Sequence, residues 1–130
     1  MTLVWQNSLS KGCPKGKIAS QVSHAAVALI LQLMKDVCYP DIIVKLLEIK
    51  IDSPLDQWIY GKFTKTVVRV ESESELLEVY NKAKEAGLNT VLIEDCGDTV
   101  FGGVRTRTVV GLGPDDSDKI DKITGHLKLL

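Results

Sequence analysis

Residues 64–93 read TKTVVRVESESELLEVYNKAKEAGLNTVLI. Thr64–Val70 is dense in β-branched side chains, which suit a pleated strand. Ser72 stands three residues before Glu75, the pattern by which a helix start satisfies its own open backbone N–H groups. Leu76, Leu77, Tyr80 and Ala83 follow at helical spacing and form the expected buried face. Gly87 is placed to take the left-handed conformation that ends a helix, and Asn89–Ile93 begins another strand. A strand, a helix and a strand in this order predict an α/β layer fold.

Before this stretch, Thr2–Gln6 reads as a first strand and Ser8–Gly16, with its Ser, Lys, Gly and Pro, as a loop. From Ile18 onward the apolar positions Ile18, Val22, Ala25, Leu29 and Leu33 repeat at helical spacing, and Ala26, Ile30 and Val37 widen the stripe. Lys17, Gln21 and His24 then fall together on the other side, within about 60° of one another. Ile42, Ile43, Leu46, Leu47 and Ile51 fit a short second helix. Arg107–Leu112 gives a fourth strand closed by Pro114, and Asp115–Thr124 a last short helix with acids at its positive end. The first three strands are expected to be parallel through helical crossovers, and the short Cys96–Thr106 connection to return the fourth antiparallel. The expectation is therefore a single α/β domain over residues 1–130, with a mixed, roughly four-stranded sheet covered by helices on both faces. No repeat and no low-complexity segment interrupts it.

Composition narrows the class. Apolar residues at 45% and charged residues at 25% are values of a folded globular chain, against disorder. The longest apolar run, Ala25–Leu31, falls far short of the roughly 20 residues that span a bilayer, and the start lacks a signal-type block. The chain is thus expected in the cytoplasm, with no membrane partner. Cys13, Cys38 and Cys96 are odd in number and lack CxxC spacing, so they read as small, partly buried residues rather than a disulfide or zinc framework. A net charge of −1 hides an asymmetry: residues 1–35 carry +4, from Lys11, Lys15, Lys17 and Lys35, residues 36–98 carry −6, and residues 99–130 carry +1. A basic end can meet phosphate while the rest of the surface stays acidic.

The glycine-rich stretch Glu94-Asp95-Cys96-Gly97-Asp98-Thr99-Val100-Phe101-Gly102-Gly103 lies beyond a strand end, where open α/β sheets place ligands. It has neither dinucleotide-fingerprint nor Walker spacing, and GxSxG is absent, which disfavours nucleotide cofactors and a serine triad. Asp95 reads either as a turn acid or as a catalytic one. His24 reads as a structural or exposed helix histidine, or as a general acid or base. Lys17 adds a cation where the helix start is already positive, an arrangement that makes sense if an anion docks there. His126 has no neighbouring ligand, so no metal is expected.

Taken together, Lys15-Gly16-Lys17-Ile18-Ala19-Ser20-Gln21-Val22-Ser23-His24-Ala25-Ala26, Asp95-Cys96-Gly97-Asp98-Thr99, Gly111-Leu112-Gly113-Pro114 and Ile120–Leu130 closely resemble the type II peptidyl-tRNA hydrolases of archaea and eukaryotes. The likeness covers nearly the whole chain. It implies a cofactor-independent enzyme that hydrolyses the ester between a peptide and tRNA, with peptidyl-tRNA as partner; a homodimer is compatible with it. Lys17, His24, Asp95, Thr99 and Thr108 match the family's site positions. The resemblance implies that Asp95 orients or activates water, aided by Thr99 or Thr108. Lys17 would stabilise an oxyanion or a phosphate, and His24 would support proton transfer. Lys11, Lys15, Gln21, Arg105 and Arg107 are the expected substrate contacts, the basic ones along the tRNA backbone.

The chain departs from the family pattern at Gln6-Asn7-Ser8-Leu9, which replaces an Arg-Thr/Asn-Asp-Leu run. It departs also at Ser10–Pro14, at Val100, in the Phe101–Thr106 loop, and in a segment of about residues 38–57 that reads as inserted. Two rivals remain at this level: a non-catalytic module that binds RNA or protein, and hydrolysis of a different acyl-tRNA ester.

Overall fold

The computed structural model describes residues 1–98 and 100–130. In chain order these fold as β1 (Thr2–Gln6), a 3-10 turn (Asn7–Leu9), α1 (Lys15–Leu33), β2 (Lys35–Cys38), β3 (Ile43–Leu46), α2 (Pro54–Ile59), β4 (Thr66–Val70), α3 (Glu73–Glu85), β5 (Thr90–Asp95), β6 (Thr106–Leu112), α4 (Ser117–Thr124) and β7 (Lys128–Leu129).

The main sheet has the order β5-β6-β1-β4-β7. β1 and β4 pair parallel, whereas β6 runs antiparallel to both β1 and β5. β1, β4 and β5 therefore point the same way and end at one rim, as the helical crossovers predict. The sheet has five strands rather than four. The extra one, β7, pairs antiparallel with β4 through only two residues, too few to carry a periodic signal.

Alternation along each strand divides the core between two faces. Leu3, Trp5, Val91 and Val109 pack with Ala25 and Leu29 of α1 on one face. Val4, Val68, Val70, Val110 and Leu112 pack with Leu76, Val79 and Ala83 of α3 and Ile120 and Ile123 of α4 on the other. Close approach of α1 to the sheet depends on Gly111, where a Cβ would lie 2.9 Å from Leu29 Cδ1.

The ends of α3 follow the sequence expectation. Ser72 Oγ accepts from the Glu75 N–H at 3.2 Å, while the Glu75 carboxylate reaches past Ser72 to the Glu71 N–H at 2.7 Å. At the other end Gly87 has φ 73°, and the Leu88 N–H bonds the Ala83 carbonyl at 3.1 Å. Val79, rather than Leu77, completes the fully buried face.

Several expectations are corrected. The helix predicted around Ile42–Ile51 is absent: β2 and β3 form a separate two-stranded hairpin, and α2 begins only at Pro54. Tyr39-Pro40-Asp41-Ile42 supplies a turn, with Pro40 suited to its second position, and β-branched residues follow it. Lys45 pairs with Asp36 across the hairpin at 2.7 Å, and Ile42, Ile43 and Leu46 stay exposed. Val37 accordingly belongs to β2 and not to the α1 stripe, since α1 ends at Leu33. α1 begins at Lys15, inside the expected loop. Cys38 and Cys96 are exposed and only Cys13 is partly buried. No helix among the described residues is long and apolar enough to cross a membrane.

Candidate active site

The shared rim of β1, β4 and β5 faces the first turns of α1 and the start of β6. β5 delivers Asp95 as its last residue, α1 delivers Lys17 and Gln21 one turn apart, and β6 delivers Thr108. Lys17 Nζ donates to Asp95 Oδ1 at 2.8 Å, and Gln21 Nε2 donates to the same oxygen at 3.1 Å. The Thr108 hydroxyl donates to Gln21 Oε1 at 2.7 Å. Because that carbonyl end accepts from Thr108, the amide NH2 is turned toward Asp95. A polar chain thus runs from the wholly buried Thr108 to the rim.

Gln21 is only 2% exposed, although the helical wheel set it apart from the core. Four positions at about 100° each leave it about 40° from Ala25, at the border of the apolar stripe. It is tolerated there because both ends of its amide are satisfied. Lys17 and Asp95 have side chains 15% and 10% exposed, so their ion pair is shielded from most solvent.

The second oxygen of Asp95 has its own partner. Asp95 Oδ2 accepts from the Gly97 N–H at 2.9 Å, closing a local side-chain turn. Gly97 has φ 85°, and a Cβ there would lie 2.7 Å from the Val104 nitrogen and nearer still to its carbonyl oxygen. Only glycine fits that close crossing of the loop on itself. Asp95 therefore closes a turn, one of the two readings that its sequence context left open, and does so while standing at the rim. The Lys17 ammonium, aided by the Gly97 N–H and Gln21, holds its carboxyl below the usual aspartate range, although burial pushes the other way. The anion at the positive start of α1 is Asp95 itself. Lys17 also lies 5.7 Å from the centre of the Phe101 ring, close enough for a cation–π attraction.

The remaining predicted positions lie around this cluster. His24 is exposed, one turn beyond Gln21, and lines an open groove with Val27, Leu31, Leu92 and Glu94; its side chain makes no hydrogen bond among the described residues. Arg107 is bound to Glu73 at 2.9 Å and Glu94 at 3.4 Å, and Arg105 reaches Glu94 at 3.3 Å. Lys11 and Lys15 are exposed beside the start of α1. Thr99 lies outside the described residues. Gly97 and Phe101 have roles that the sequence reading missed. An Asp followed two residues later by Gly is the local signal for the first, and the second has none.

The altered stretch after β1 is tightly anchored. Gln6 is buried, donates to the Arg107 carbonyl at 2.7 Å and accepts from the Ser8 hydroxyl at 2.6 Å. Trp5 Nε1 donates to Ser10 Oγ at 2.8 Å, and Asn7 Nδ2 donates to Glu71 at 2.9 Å. These bonds fix the chain that leads into α1 and so fix the approach of Lys17.

The family model described as "Peptidyl-tRNA hydrolase PTH2" matches residues 1–130. A peptidyl-tRNA hydrolase of Methanocaldococcus jannaschii is 40% identical over 130 residues, covering 100% of this chain and 98% of that protein. One of Sulfolobus acidocaldarius gives the same identity and coverage. The mitochondrial peptidyl-tRNA hydrolase 2 of Bos taurus is 40% identical over 129 residues, of which this chain spans 63% of the length. With the family pattern matched from end to end and two relatives aligned over nearly their full length, the chain belongs to the PTH2 family of peptidyl-tRNA hydrolases.

Proposed function

We propose that this chain hydrolyses the ester joining a peptide to the ribose of tRNA, at the rim cluster of Lys17, Gln21, Asp95 and Thr108. The observation that carries the residue assignment is the shielded Lys17–Asp95 pair, held from beneath by Gln21 and Thr108. A carboxylate held ionised offers a fixed acceptor for a water proton, and its two anchored oxygens restrict where that water can sit.

The oxygen of the water attacks the ester carbonyl carbon while Asp95 accepts its proton. The ribose oxygen then leaves as the carbonyl re-forms and takes up that proton, giving a free tRNA hydroxyl and a peptide carboxylic acid, which loses its remaining proton to solvent. A carboxylate of lowered pKa is a weak base, so its larger contribution is to orient the water. Lys17 supplies positive charge where the oxyanion develops. Preorganised donors in a water-poor site are worth about 3–4 kcal/mol of barrier. Thr99 assists the water in this reading, and His24 stands by for proton transfer at the groove side.

Lys11 and Lys15, with the open N–H groups at the start of α1, form a landing place for phosphate. Arg105 and Arg107 extend it by exchanging Glu73 and Glu94 for the tRNA backbone. Release of N-acetyl-aminoacyl residues from tRNA tests the assignment. Lys17→Ala and Asp95→Asn are each expected to lower kcat by about a hundredfold or more, with KM changing less. Full activity in both variants would falsify these roles.

A further inference from the structure

β5 is an outermost strand of the sheet, so among the described residues its long side away from β6 has no neighbouring strand. The Asn89 carbonyl accepts from the Gly113 N–H at 2.9 Å on the β6 side. Alternation along the antiparallel pair then turns Val91 and Ile93 toward β6 and aims the backbone N–H and C=O of Thr90 and Leu92 outward. Gln32 of α1 occupies the Thr90 carbonyl at 3.1 Å. Among the described residues, Leu92 is thus the first edge position whose backbone groups open outward without such a cap.

This edge is one wall of an open groove of about 530 Å³. The facing wall is a stripe on α1, His24, Val27 and Leu31, in which Val27 is 59% and Leu31 44% exposed. Glu94 borders the groove, and Asp95 follows it at the rim.

We infer that the free edge of β5 seats the peptide half of the substrate as an added, extended strand. This rests on the proposed cleavage at Asp95. The groove reaches Glu94, the residue next to Asp95, and the ester is by definition at the carboxyl end of the peptide. The peptide must therefore run parallel to β5, with its last residue at Asp95 and earlier residues leading back toward Gln32. Leu92 lies three residues before Asp95, about 10 Å along the strand at roughly 3.3 Å per residue. Its carbonyl meets the N–H of the third residue from the ester. Main-chain pairing is blind to side-chain identity, which suits an enzyme that must accept whatever peptide is attached. Alternate side chains turn toward Val27 and Leu31 and favour apolar residues there. The Gln32 cap on Thr90 limits the paired stretch to about four or five residues.

Hydrolysis by the full chain is measured on tRNA carrying N-acetyl-alanine and on N-acetylated peptides of two to six residues. The expected result is a kcat/KM that rises about tenfold by four or five residues and then levels. Replacing the amide N–H of the third residue with an ester oxygen is expected to lower kcat/KM by about three- to tenfold, the effect of one hydrogen bond, and the same change in the sixth residue to have no effect. Val27→Gln with Leu31→Gln, both at exposed positions, should erase the apolar preference and leave the N-acetyl-alanyl-tRNA rate unchanged. Equal kcat/KM at every length would overturn the subsite while ester cleavage stands. A length effect indifferent to the third-residue replacement would overturn the backbone pairing. Release of no substrate at all would remove the cleavage function, and the subsite with it.

Discussion

Asp95 divides its two oxygens between different tasks: Oδ2 closes the turn with Gly97, and Oδ1 takes the donors from Lys17 and Gln21. The sequence displays the acid and the lysine because each sits in a marked context, a strand end with glycines and a helix start without acids. It does not display their contact, which spans 78 positions along the chain. Nor does it display the burial of Gln21, since a polar residue at the border of a stripe reads as solvent-facing until Thr108 supplies its partner. The lowered pKa of Asp95 carries a stability consequence. The folded value lies below the unfolded one, so the stabilisation is complete above the ordinary aspartate range, around pH 3.9, and is lost as pH falls through the folded value. Urea unfolding of the wild type and Asp95→Asn should therefore differ most near neutral pH and converge as the solution is acidified. A difference that grows on acidification would contradict the pair's role.

At the level of elements, α3 shows what local chemistry can settle. Its start, its left-handed end and most of its buried face follow from Ser72, Glu75, Gly87 and the apolar spacing. Ser72→Ala removes the acceptor for the Glu75 N–H and should cost about 1 kcal/mol in chemical denaturation, with hydrolysis unchanged, because α3 lies on the face of the sheet away from α1. The Ile42–Ile51 stretch shows the opposite case. Its apolar spacing fits a helix as well as a strand, and the Pro40–Asp41 turn decides between them by folding Ile43–Leu46 back on Lys35–Cys38. β7 escaped notice for another reason, because two residues gain strand identity only from the partner β4.

For the molecule as a whole, charge is distributed unevenly: an excess of lysine up to residue 35 is set against an acidic middle. Lys11 and Lys15 lie exposed near the rim, so they can meet phosphate while the net charge stays at −1. Binding of tRNA should weaken steeply with salt. Lys11→Ala combined with Lys15→Ala should flatten the plot of log affinity against log salt by about 1–2 in slope, measured by filter binding at several salt concentrations. An unchanged slope would remove these two lysines from the interface. The β2–β3 hairpin stands apart from that surface economy. Its ladder closes on itself, outside the sheet that carries the rim cluster. In evolutionary terms the stretch is a place where length can drift: residues can be gained or shed between α1 and α2 without re-registering the strands that carry Asp95 and Thr108. A lineage can remodel this outcrop while the far end of α1, where Lys17 meets Asp95, is inherited intact.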